Sequence, residues 1–137
     1  MNAEQLKERT MQYAMRVIGL VRVLPRDAVC QTVGRQIVRS ATGVAANYRA
    51  GCRARSRSEF VAKMGIVEEE ADETLFWLEL LARTGLVEPQ SLTGLLKEGN
   101  EIVAIAVSSK RTARARLVGE RAARAFGTSP SPPARET

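Results

Sequence analysis

Six arginines, Arg35, Arg39, Arg49, Arg53, Arg55 and Arg57, crowd one short stretch of the chain. A guanidinium is a planar fork that donates two parallel hydrogen bonds, the geometry that suits a phosphate. At about 100° per helical residue, Arg35, Arg39, Thr42, Ala46, Arg49 and Arg53 fall within about 40° of a single line. Cys30, Val33, Ile37, Ala41, Val44 and Tyr48 fall on the opposite side. The arginines therefore form a solvent-facing stripe, which Arg55 and Arg57 continue into the following loop. Thr42 and Ala46 are small and let an extended polyanion come close. No aromatic side chain in the stripe is available to stack on bases. The contact expected is with the phosphate backbone of RNA or DNA, with a steep dependence on salt. The competing reading is a solvated face, or one neutralised by acidic residues of a neighbouring subunit.

Other chemistries are excluded by what is missing. The chain has no histidine, which removes His-ligated metals, Ser-His and Cys-His nucleophile pairs, and any imidazole base. Glu68, Glu69, Glu70, Asp72 and Glu73 cluster, but a di-iron bundle site needs Glu-x-x-His motifs. Glu70 and Glu73 read instead as partners for arginines across a helix–helix contact. Cys30 and Cys52 form no CxxC pair and no disulfide framework, as fits a reducing cytosol. The expectation is a protein that is not an enzyme, with no cofactor and no metal.

The elements that must position the stripe are helices. The chain has 137 residues, the length of about one domain, and it buries a core without staples. Aromatics are only 4%, and Ala, Val, Leu, Arg and Glu dominate, a mixture for an all-α fold. Pro25, the run Arg53–Ser58, and Gly85 with Pro89 divide the chain into four helical stretches. Ser56 or Ser58 can cap the third, Glu59 completing a capping box if Ser56 is the cap, and Ser91 can cap the fourth. The apolar period is helical in each stretch. Leu6, Tyr13, Val17, Leu20 and Leu24 mark the first core face, interrupted by Thr10. The second is the set opposite the arginines. The third is Phe60, Met64, Val67, Ala71, Leu75, Leu78 and Ala82, and the fourth Leu92, Leu95, Leu96, Ile102, Val103, Ala106 and Ala113. Long helices with short links fold back on one another. An antiparallel up-down-up-down four-helix bundle over residues 1–126 follows, with 127–137 (GTSPSPPARET) a disordered tail. The opening MNAEQLKERT is no signal peptide, and no run is apolar enough to span a bilayer. A cytoplasmic protein with no membrane partner is expected.

Charge is segregated. Residues 1–58 carry 11 basic and 3 acidic side chains, 59–104 carry 3 and 10, and 105–137 carry 7 and 2. Opposite-sign helices can pair with one another, or the basic excess can be a binding face. The third helix adds a second apolar face. Ile66, Phe76, Trp77 and Leu80 lie about 160–260° from Phe60, where a monomer's surface helix is polar. These four form a candidate oligomer interface. Asn47 sits between core and stripe, and Gly34, Gly43 and Gly51 make sense where another helix or a ligand comes close.

Several runs together resemble the bacterial four-helix bundle family also called large-subunit rRNA intervening-sequence proteins. They are LPRDAV at 24–29, GRQIVRSATGVAANYRAGCRARS at 34–56, SEFVAKMGIVEEEADETLFWLELL at 58–81 and TGLV at 84–87. Gln36, Arg39, Ser40, Ala41, Gly43, Val44, Asn47 and Gly51 occupy the family's first motif, and Ala50 stands where many members have Glu. Glu70, Glu73, Thr74, Trp77, Leu78, Leu80 and Leu81 occupy the second. The resemblance implies a four-helix bundle assembled as a homopentamer. A related branch resembles the accessory variability protein of diversity-generating retroelements, which binds a reverse transcriptase and nucleic acid through basic surfaces. The reading that follows is a non-enzymatic, nucleic-acid-associated oligomer, with a reverse transcriptase as a candidate partner. The alternative is a structural or protein-binding oligomer whose arginines pair with Glu69, Glu70 and Glu73.

Overall fold

The computed structural model describes residues 1–127. Four helices account for nearly all of them: α1 (Ala3–Arg22), α2 (Ala28–Cys52), α3 (Arg57–Arg83) and α4 (Pro89–Ala125). There is no strand among the described residues. The expected tail lies outside them from residue 128 onward.

Local sequence sets the ends. Asn2 caps α1 through a reciprocal box with Gln5, at 2.8 and 3.0 Å. Asp27 caps α2 by accepting from the Cys30 N–H at 2.9 Å. Ser56 caps α3 as expected, accepting from the Glu59 N–H at 3.0 Å. Glu59 does not close the box on Ser56; its carboxylate accepts the Arg55 N–H at 3.3 Å, one residue earlier. Gly85 terminates α3 with φ +72°, a conformation that costs glycine nothing. Ser91 is not the cap of α4. That helix starts earlier because Pro89 already has helical φ and needs no N–H donor there.

The helices pack in chain order, α1 on α2, α2 on α3 and α3 on α4, while α1 and α4 touch lightly. Each neighbouring pair is antiparallel. Arg39 and Ser40 of α2 meet Glu73 and Thr74 of α3. Further toward its C-terminus, Gly51 of α2 meets Met64, nearer the start of α3. Arg57 and Glu68 of α3 meet Glu120 and Lys110 of α4. The up-down-up-down arrangement read from the sequence is the one observed.

The core runs through all four helices and includes Tyr13, Ile37, Met64, Leu78 and Ile102. Burying side chains of this size contributes about 1.5–3 kcal/mol each. Glycines let the helices close up. A Cβ on Gly51 would stand 2.6 Å from Met64, and one on Gly34 would stand 3.0 Å from Val21. Gly99 plays the same part on α4, beneath Leu75 and the Tyr13 hydroxyl. The α3 core line differs from expectation at two places. Thr74 and Leu81 are buried where Leu75 and Ala82 were read. Thr74 tolerates burial because Ser40 Oγ and the Glu70 carbonyl both lie 2.8 Å from its hydroxyl. Among the described residues, no helix is long and apolar enough to cross a membrane.

Candidate nucleic-acid interface

The six arginines do not share one environment. Arg35, Arg49, Arg53 and Arg55 are exposed, and their guanidinium groups face no carboxylate among the described residues. Arg39 is half-exposed and turns toward α3, where Glu70 accepts at 3.4 Å and Glu73 completes the pair. Gln36 holds its Nε at 3.3 Å. Arg57 leaves the stripe altogether. It is the first residue of α3 and runs along α4, where Glu120 accepts its Nε at 2.5 Å and only 8% of the side chain is exposed. A charge that deep is tolerated because it is paired. The stripe is therefore cut in two at Arg39. Arg35 lies at one end of the bundle, and Arg49, Arg53 and Arg55 lie at the other.

The second group has neighbours that a reading along one helix does not reveal. The Arg57–Glu120 pair fixes the C-terminal part of α4 beside the α2–α3 link. That brings Arg114, Arg121 and Arg124, all exposed, to the same end as Arg49, Arg53 and Arg55. The excess of basic residues after position 104 is visible in the sequence; only the fold places it. The arginines also suit their positions electrostatically. α2 and α4 both end here, and cations are favoured beside helix C-termini. This end of the bundle thus carries six exposed arginines, on α2, on the link after it and on α4. Such a surface holds phosphates by charge and forked hydrogen bonds, without reading bases.

The acidic middle is largely spoken for. Glu68 pairs with Lys110 at 2.6 Å, and Arg9 joins Glu98 at 2.6 Å and also Glu101. Hydrogen bonding from Arg9 holds the Glu98 carboxyl below its usual range, against the opposing effect of burial. Glu70 and Glu73 serve Arg39, as expected from the sequence. Among the described residues, no three carboxylates or thiols gather as a metal cage. Asn47 donates to the Gly43 carbonyl at 2.8 Å and stays within its own helix.

Arg35 belongs to a different feature. With Arg22 and Arg26 it lines a cavity of about 470 Å³ between the end of α1 and the start of α2, together with Leu24, Pro25 and Val38. The candidate oligomer face on α3 is also narrower than read. Trp77 and Leu80 lean against the core edge, and Ile66 is half-buried. Phe76 alone stands out, 55% exposed, with its ring edge-on to Trp77 at a centroid distance of 4.9 Å. The Trp77 indole N–H is held by Glu73 at 3.4 Å. α1 adds exposed Met11, Met15 and Ile18, which the sequence reading did not single out.

No curated protein matches the chain. Among solved structures, the chain is similar to a protein of unknown function from the S23 ribosomal protein family of Bacteroides thetaiotaomicron. The two share 31% identity with a TM-score of 0.75, over 81% of this chain and 99% of that one. The model of the family described as "23S rRNA-intervening sequence protein" matches residues 4–108. That span covers α1, α2, α3 and the first half of α4, including both motif runs, and the chain belongs to the 23S rRNA-intervening sequence protein family.

Proposed function

We propose that the protein is a non-enzymatic, multi-chain scaffold that binds RNA or DNA through phosphates at the α2–α3 end of the bundle. The observation that supports this most is that Arg49, Arg53 and Arg55 are exposed with no carboxylate partner among the described residues, at the end of the bundle to which α4 also brings the exposed Arg114, Arg121 and Arg124. Arg39 contributes at lower weight, because it is engaged by Glu70 and Glu73, and Arg35 lies apart at the other end of the bundle. Assembly of several chains, a pentamer by resemblance, multiplies such a patch. Weak contacts then combine through effective concentration. An enzyme that acts on nucleic acid, such as a reverse transcriptase, is a partner that the same surface suits.

A second reading has its own support. Arg39 and Arg57 are both consumed by carboxylates of their own chain, so part of the basic excess is structural. On that reading the protein is a structural or protein-binding oligomer with no nucleic-acid ligand. Binding of labelled RNA and DNA at about 50 and 200 mM salt separates the two. The proposal expects binding at the lower salt that falls steeply at the higher. No binding at the lower salt rejects it and leaves the structural oligomer.

A further inference from the structure

Two surface features of this chain are complementary in shape, in charge and in height. The first is the cavity between α1 and α2. Leu24, Pro25 and Val38 give it an apolar lining, and Arg22, Arg26 and Arg35 line it together with Arg39, which is already paired with Glu70 and Glu73. The Arg22, Arg26 and Arg35 guanidinium groups face no carboxylate among the described residues. Asp27, the acid nearest in sequence, is committed to capping the Cys30 N–H. The second feature is Phe76. Thr74, Leu78 and Leu81 point into the core, and helical geometry places Phe76 about opposite them. Around the ring, Glu69 and Asp72 are exposed and hold no cation among the described residues, while Glu79 shares Arg83 at 3.0 Å.

A phenyl ring in a collar of carboxylates thus matches an apolar hollow in a collar of arginines. Exposed aromatics of this kind anchor protein interfaces when a pocket receives them. The chain cannot satisfy itself, since the two features lie on different helices and face outward. Their heights agree. Thr74 and Ser40 touch across the α2–α3 seam at 2.8 Å. Two residues further in each antiparallel direction, Phe76 is level with Val38, which lines the cavity.

We propose that Phe76 of one copy seats in the α1–α2 cavity of the next copy, with Glu69, Asp72 and Glu79 facing Arg22, Arg26 and Arg35. This inference rests on the multi-chain reading above and specifies which surfaces meet. The contact is heterologous, because each copy uses a different patch for each neighbour. A heterologous contact gives a ring where its rotation closes, and the shared height of knob and hollow keeps neighbouring copies level. The arginine-rich α2–α3 ends then all lie on one side of the ring.

The test is sedimentation of three full-length proteins: wild type, Phe76→Asp, which destroys the knob, and Val38→Trp, which fills the hollow. Asp72→Arg is a second knob variant at an exposed position, and far-UV circular dichroism checks helicity in each. Wild type is expected at a multiple of 15.0 kDa, and each variant alone at a single chain. Mixed in equal amounts, Phe76→Asp and Val38→Trp are expected to form a two-chain complex and nothing larger. One intact knob and one intact hollow remain between them. Variants that stay assembled like wild type, or a mixture that stays monomeric, overturn the docking while leaving the multi-chain reading intact. A wild type that sediments as a single chain overturns both.

Discussion

Arg39 of α2 reaches across to Glu73 of α3, and this pairing divides a run of arginines that would otherwise be continuous. Glu70 adds a second oxygen at 3.4 Å. The consequence is functional more than structural. Half-exposed pairs of this kind contribute about 0–1 kcal/mol to stability, but they decide which guanidinium groups are free for a ligand.

Removing both carboxylates while keeping their shape therefore extends the basic surface. Glu70→Gln/Glu73→Gln is expected to raise affinity for RNA and DNA. It should also steepen the dependence of log affinity on log salt by about 0.7–0.9, the value of one added phosphate contact. Thermal stability should shift by no more than about 1 kcal/mol. An unchanged salt slope would show that Arg39 lies outside the polyanion path.

Arg57 makes the opposite prediction. The Arg57 side chain is 8% exposed against Glu120, so removing either member breaks a largely buried ion pair. Glu120→Gln or Arg57→Ala is expected to destabilise the bundle by more than about 1 kcal/mol in denaturant unfolding, above the range of an exposed pair. Replacing both partners with apolar side chains is expected to cost far less. A loss below about 1 kcal/mol for either single variant would contradict the burial.

The faces of the four helices are legible because apolar spacing maps directly onto a helical surface. So are the stops at Pro25 and Gly85 and the close approaches at Gly34, Gly43 and Gly51. Two kinds of information are not carried by one helix read alone. The burial of Thr74 ahead of Leu75 depends on Ser40 of another helix offering its hydroxyl, while Leu75 fills the notch above Gly99. The fate of each arginine likewise depends on which carboxylate the packing brings near. Glu73 lies 34 residues from Arg39, and Glu120 lies 63 residues from Arg57. Glu70 and Glu73 were legible as arginine partners because an acidic helix beside a basic one has few other ways to neutralise. The placement of Arg114, Arg121 and Arg124 at the same end as Arg53 and Arg55 needed the α3–α4 register.

Tyr13 provides a prediction on stability and pH. Its hydroxyl is buried over Gly99 with no hydrogen-bond partner among the described residues, a cost of about 1–3 kcal/mol for an unsatisfied group. Tyr13→Phe is expected to stabilise the fold by an amount within that range. Burial also pushes the Tyr13 ionisation above its ordinary value, with Glu98 adding to the effect. The unfolded chain then loses this proton first. Stability should fall as pH rises above about 10, the unperturbed tyrosine value. Tyr13→Phe should flatten that alkaline limb. An equal limb in wild type and variant would contradict the assignment.

The central claim is that phosphates are held at the end of the bundle carrying Arg53 and Arg55. The most direct test is the slope of log affinity against log salt for an RNA strand, comparing wild type with Arg53→Glu/Arg55→Glu. Arg16→Glu serves as a control on α1, close to Gly94 at the other end. A slope shallower by about 1.4–1.8 is expected in the double variant, 0.7–0.9 per lost contact, with weaker binding whatever the RNA sequence. The control should keep the wild-type slope. A double variant that keeps the wild-type slope, or a control that loses as much, contradicts the claim.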